Sequence, residues 1–179
     1  MRTTRILDVL DIVQPALYGV VISDNPDRIE FMKSTDQTHW IYEANAGVKE
    51  RADTRYYWEM IWTAWELGFT GVGYWTFCTT GFDLWSAEAD YVMVYQGADG
   101  PVPSVRWQAI RIGIEDYARM ARLHDAIAHA EASGRGKAAA NARSRIEGVV
   151  NEAKASLWDP AIVAGIRREV VDLTLNLRT

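Results

Sequence analysis

Between residues 6 and 77 the chain alternates short apolar runs with helical stretches, and this alternation limits the folds open to it more than any other feature. Ile6 to Val13 reads as a strand closed by Gln14-Pro15. A short helix is expected over Asp27 to Ser34, after the Asn25-Pro26 turn, and His39 to Tyr42 reads as a second strand. Asp53 is placed to cap a helix that runs to Leu67 and stops at Gly68. Within it Tyr57, Ile61, Ala64 and Trp65 recur at helical spacing, and Trp58 and Trp62 widen the apolar face. Val72 to Phe77 reads as the third strand. A βαβαβ order with short connections favours parallel neighbours joined by right-handed crossovers.

Three parallel strands are an incomplete structure. An open sheet of that size has two edges, and one face of each aromatic strand lacks a partner. A full (β/α)8 barrel takes roughly 250 residues, and the chain has 179. The expectation is therefore an α/β chain: a partial (β/α)8 TIM-type barrel, its last three strands with their helices, over residues 1–132. A C-terminal helical hairpin over 133–179 is expected to pack back on it. Pairing with the missing part of the barrel, or with a second copy, would complete the sheet.

The rest of the chain reads as helical punctuation. A long loop runs from Cys78 to Glu88, with an extra strand expected at Tyr91 to Tyr95 and a turn at Ala98-Asp99-Gly100-Pro101-Val102-Pro103. Ser104 is placed to cap a helix to about Ala130, with Ala109, Ile110, Gly113, Tyr117, Met120 and Leu123 on one face. After Gly134 and Gly136 no aromatic appears until Trp158. Ala142, Ile146, Val149, Val150, Ala153 and Leu157 form one stripe of the hairpin. Asp159-Pro160 should start its second helix, with Ile162, Ile166, Val170, Leu173 and Leu177 as the other stripe.

Composition removes several function classes. The net charge of −5 gives no electrostatic reason to bind nucleic acid or an anionic membrane. No apolar run approaches the roughly 20 residues needed to span a bilayer, and no secretory h-region opens the chain. The single cysteine, Cys78, excludes an intrachain disulfide and a cysteine-built metal site. His124 and His129 are five apart and His39 is distant, so no zinc site is expected. Gly71-Val72-Gly73 lacks the last glycine of a dinucleotide fingerprint, since position 76 is Thr. Gly134-Arg135-Gly136-Lys137 lacks the spacing and hydroxyl of a phosphate loop. No cofactor is expected.

What stands out is aromatic residues at strand ends. Six of the eight tryptophans fall between positions 58 and 107. Aromatic faces suit sugars because they stack on the apolar C–H patches of a pyranose ring while its hydroxyls bond elsewhere. Trp40, Tyr42 and Trp75 would lie near the C-terminal ends of neighbouring strands, the end that carries barrel active sites. Gly71 and Gly73 share a face with Trp75 and leave room on it. Trp85, in the long loop, is a further contact candidate. Glu43 ends the second strand and could accept a sugar hydroxyl, but Tyr42 and Glu43 point to opposite faces of a regular strand.

The ordered series Trp40-Ile41-Tyr42-Glu43, Arg55-Tyr56-Tyr57, Trp62 with Trp65, Gly71-Val72-Gly73-Tyr74-Trp75 and Ser104 through Arg106, Arg111, Gly113 and Asp116-Tyr117 resembles the C-terminal part of the glycoside hydrolase family 123-like catalytic domain. The resemblance covers roughly residues 6 to 125. It implies a (β/α)8 barrel acting on N-acetylhexosaminides or related glycosides, with the substrate acetamido group as nucleophile. It also implies an adjacent Asp-Glu pair that would lie before residue 1. The adjacent pair in the matching region, Glu115-Asp116, belongs to the late helix. No catalytic residue is therefore assigned to this chain; Trp40, Tyr42, Glu43, Trp75 and Trp85 are its candidate sugar contacts. The alternatives are a noncatalytic carbohydrate-binding or scaffolding protein built from a barrel remnant, and an interaction module whose open sheet edge docks a partner.

Overall fold

The computed structural model describes residues 10–16, 26–43, 54–78, 92–156 and 159–178. Trp85, Asp53, Leu157 and most of the 78–88 loop lie outside them, as do residues 6–9 of the first expected strand. The chain is mixed α/β and mostly helical, and its contacts divide it into two compact units, Met1–Ala109 and Ile110–Thr179.

The first unit is built on three parallel strands, β1 (Ile12–Val13), β2 (Thr38–Glu43) and β3 (Gly71–Tyr74), adjacent in the order in which they occur. Helix α1 (Pro26–Lys33) precedes β2, and α2 (Thr54–Leu67) joins β2 to β3. The register sets Val13 beside His39, Trp40 beside Gly71 and Tyr42 beside Gly73. Beyond β1 the backbone stays with its neighbour: Tyr42 N donates to Pro15 O at 3.0 Å, and Ala16 forms a parallel bridge to Tyr42.

One face of this sheet is covered. Ile41 is fully buried among Met32 of α1 and Met60 and Ala64 of α2, with Val13, Ile29, Val72 and Tyr74 packed around them. Both helices therefore lie on the same side, a singly wound arrangement rather than one with a helix on each face. Helix α2 ends where its sequence directs. Gly68, at φ 74°, takes the left-handed conformation, and Phe69 N returns to Ala64 O while Gly68 N returns to Trp65 O. Among the described residues the sheet does not close into a barrel.

Two boundaries differ from expectation. The third strand stops at Tyr74, leaving Trp75 to Phe77 outside it, although Trp75 N still donates to Glu43 O at 3.1 Å. The Pro101–Pro103 segment, expected as a turn, is a strand (β5) paired antiparallel with β4 (Val94–Gln96). Proline lacks the N–H for a second ladder, and a two-stranded hairpin needs no second ladder. The expected extra strand at 91–95 thus falls at Val94–Gln96.

Helix α3 (Val105–Ala132) begins in the first unit; Ser104 Oγ accepts from Trp107 N at 3.2 Å, the expected cap. The second unit contains the rest of α3 with α4 (Gly136–Ala155) and α5 (Pro160–Asn176). Met120, Leu123 and Ile127 of α3 are buried, as are Ala142, Val149 and Ala153 of α4 and Val163, Ile166 and Val170 of α5. Val163 takes the interior position expected of Ile162, which is exposed. Asp159 caps α5, accepting from Ala161 N and Ile162 N. Asp116, also buried, accepts from Arg167 through both carboxylate oxygens (2.7 and 2.8 Å) and from Arg119 at 2.8 Å.

Candidate functional site

The sheet face opposite the helices is where the aromatic side chains lie. Alternation along β2 sends Ile41 to the helix-covered side and Trp40 and Tyr42 to the other. The matching positions of β3 are Gly71 and Gly73. A methyl group built on Gly71 would sit 2.5–2.6 Å from Cδ2, Cε2 and Cδ1 of Trp40, so the indole lies directly over the glycine. At Gly73 the same construction meets the Gln14 amide at 2.3 Å and the Tyr42 ring at 3.3 Å. Each glycine makes room for what its β1 or β2 neighbours lay across it.

This face has an apolar part and a polar part. The Trp40 and Tyr42 side chains are half-buried on this face, and the indole rests on Gly71. Gln14 supplies an amide beside Tyr42, with Nε2 donating to Ile41 O at 3.4 Å. The sequence does not point to Gln14 as a contact, because the Gln14-Pro15 pair reads as the close of the first strand. The signal was present: alternation from Val13, which packs into the core, puts Gln14 on the other side.

Trp75, just past the end of β3, is 57% exposed and follows Glu43 in the ladder; the Trp75–Thr76 peptide is cis. Trp40 and Tyr42 thus come from β2, and Trp75 from the segment just past β3 whose N–H bonds to Glu43 O at the end of β2. Glu43 does not join them. It is 2% exposed, next to Tyr74 in the register and on the side of Ile41. Trp85 lies outside the described residues. Cys78 is exposed.

Support for this end of the unit comes from a buried cluster of tyrosines and one arginine. Tyr57 of α2 is fully buried, packs on Tyr74 with ring centroids 5.3 Å apart, and offers its carbonyl to Tyr74 Oη at 2.7 Å. Arg106, 4% exposed, donates to Tyr95 Oη at 2.7 Å, tying the start of α3 to β4. Burial pushes the Tyr57 hydroxyl above its usual pKa, and the nearby Arg106 charge opposes that rise. These groups fix the strand ends by packing and hydrogen bonding. Arg111 and Glu115 pair across one turn of α3.

At the opposite, N-terminal end of the strands a cavity of about 340 Å³ is lined by Lys33, His39, Glu66 and the Leu67-Gly68-Phe69 turn. His39 stacks obliquely on Phe69 and lies 3.0 Å from Thr35 Oγ1, and desolvation lowers its pKa. Among the described residues no group of three His, Cys, Asp or Glu side chains is placed to hold a metal ion. None of their helices is long and apolar enough to cross a membrane. The chain matches no protein-family model and no curated protein.

Proposed function

We propose that the chain contributes a carbohydrate-contacting wall, the arc of a glycoside hydrolase-like (β/α)8 barrel formed by three successive strands. The observation that carries the proposal is the Trp40 indole laid over Gly71 on the helix-free face of the sheet, with Tyr42 on the same face beside the Gln14 amide that lies over Gly73. Flat, outward-facing rings offer a pyranose C–H face a large apolar contact at small entropic cost. The Gln14 side-chain amide, which donates to Ile41 O, places a polar group beside Tyr42 on the same face. Sequential parallel order with both helices on one side is the arrangement of a barrel arc, and it supports the finer fold assignment.

Among the described residues, the positions of β1 to β3 and of Gln14 on this face are Ile12, Gln14, Thr38, Trp40, Tyr42, Gly71 and Gly73, none of them an acid. Glycosidic cleavage typically uses a pair of carboxyl groups, and substrate-assisted enzymes recruit the substrate's own acetamido group as nucleophile. The role we assign to this chain is therefore to hold and orient an N-acetylhexosaminide or related glycoside, without supplying the acids that cut it. Isothermal titration with N-acetylglucosamine tests this. Binding that Trp40→Ala weakens at least tenfold, with an unchanged circular dichroism spectrum, supports the proposal. No heat of binding to N-acetylglucosamine, N-acetylgalactosamine or their methyl glycosides at millimolar concentration overturns it.

A further inference from the structure

Two more aromatic rings stand open close to Trp75. Phe77 is 55% exposed and Trp107 is 37% exposed, and they meet edge to face with centroids 5.5 Å apart and planes at 78°. Phe77 follows Trp75 by two residues, so their Cα atoms are within about 7 Å. Exposed rings are commonly loose, but the backbone beneath these two is pinned. Met93 N donates to Thr76 O and Phe77 O, and Val94 N donates to Phe77 O at 2.9 Å. Met93 O in turn accepts from Ser104 N, whose side chain caps the helix at Trp107. One buried residue, Met93, thus anchors both ring-bearing segments.

We infer that Phe77 and Trp107 form a second sugar contact next to Trp75, so that the ligand is an oligosaccharide spanning more than one ring. This rests on the carbohydrate reading above. Size argues against a protein partner: the open parts of Trp75, Phe77 and Trp107 sum to about 350 Å². A stable protein interface takes roughly 800 Å² from each side. A perpendicular ring pair also presents one flat face and one edge, which fits a ring-shaped ligand seated in the corner between them.

The test is calorimetric titration of the full chain with N-acetylglucosamine and with its β-1,4-linked dimer and tetramer. The tetramer is expected to bind at least tenfold more tightly than the monomer. Phe77→Ala and Trp107→Ala should each cut that ratio below threefold while leaving monomer affinity unchanged. As a check that does not depend on the variants folding, the Trp107 indole N–H resonance of the unaltered chain should shift with tetramer and not with monomer. Monomer binding with no gain on lengthening, or a gain that survives both substitutions, overturns this inference alone. Absence of binding at every length overturns it together with the carbohydrate reading.

Discussion

Replacing Gly71 by alanine tests the link between strand register and the aromatic face. The added methyl would lie 2.5 Å from two Trp40 indole carbons and 2.6 Å from a third. Relaxed carbon–carbon contacts are about 3.5–4.0 Å, so the indole must withdraw by roughly 1–1.5 Å. Gly71 lies in a regular strand outside the left-handed region, so the backbone accepts alanine and the whole conflict falls on the ring. Overpacking in a closed core costs about 1–3 kcal/mol. Trp40 is half-buried and can tilt outward, which puts the expected cost near 1 kcal/mol. The tilt should also take the ring out of register with Tyr42 and weaken sugar binding about tenfold, equivalent to about 1.4 kcal/mol. Urea unfolding followed by tryptophan fluorescence reads the first quantity and titration calorimetry the second. Adding Trp40→Phe to Gly71→Ala should restore most of the stability but not the affinity, because a smaller ring clears the methyl and stacks less. Wild-type stability and affinity in Gly71→Ala would refute the stacked geometry.

Gly73→Ala should expel the Gln14 amide, whose nitrogen stands 2.3 Å from the added carbon, and should match Gln14→Ala in its loss of affinity. Unequal losses, with Gln14→Ala silent, would remove Gln14 from the site. Asp116→Ala removes the buried acceptor of two partly exposed arginines and should cost about 1.5–3 kcal/mol in helical unfolding measured at 222 nm. Arg119→Ala, at a solvent-accessible partner, should cost less; equal costs would show that the buried carboxylate is not the centre of the network. His39 has a lowered folded pKa, so the unfolded chain binds the extra proton first. The stabilisation from its neutral form is complete above the unfolded value of about 6.5 and is lost as pH falls through the folded pKa. His39→Gln should flatten the fluorescence-monitored stability profile below pH 6.5, and an unchanged slope would rule His39 out as its source.

Much of the scaffold was legible because it follows from local chemistry. Gly68, Ser104 and Asp159 each end or begin a helix through the backbone groups that helix termini leave unpaired. The alternation in Trp40-Ile41-Tyr42-Glu43 implies two faces, whereas the register that sets Trp40 beside Gly71 and Tyr42 beside Gly73 is fixed only by the fold. Other features depended on tertiary context. Two prolines argue against a strand, and only the antiparallel partner Val94–Gln96 makes Pro101–Pro103 one. Ile162 and Val163 are adjacent and both apolar, so periodicity in the first turn of α5 does not choose between them; packing buried Val163. Glu43 as a sugar contact drew on its place at a strand end, whereas its burial comes from the layer that α2 helps to form. Gln14 was hidden by the proline after it, which suggests an end to pairing even though Pro15 still supplies its carbonyl to Tyr42.

The most direct test of the aromatic wall is a ¹H–¹⁵N spectrum of the tryptophan indole N–H groups during titration with N-acetylglucosamine. Trp40 and Trp75, on the open face and at its edge, should shift in a saturable way, and Trp62, 3% exposed within the first unit, should stay fixed. Saturable shifts at Trp40 and Trp75 with Trp62 unmoved are the predicted result. A titration in which neither moves, or in which Trp62 moves with them as the whole unit rearranges, would contradict the account.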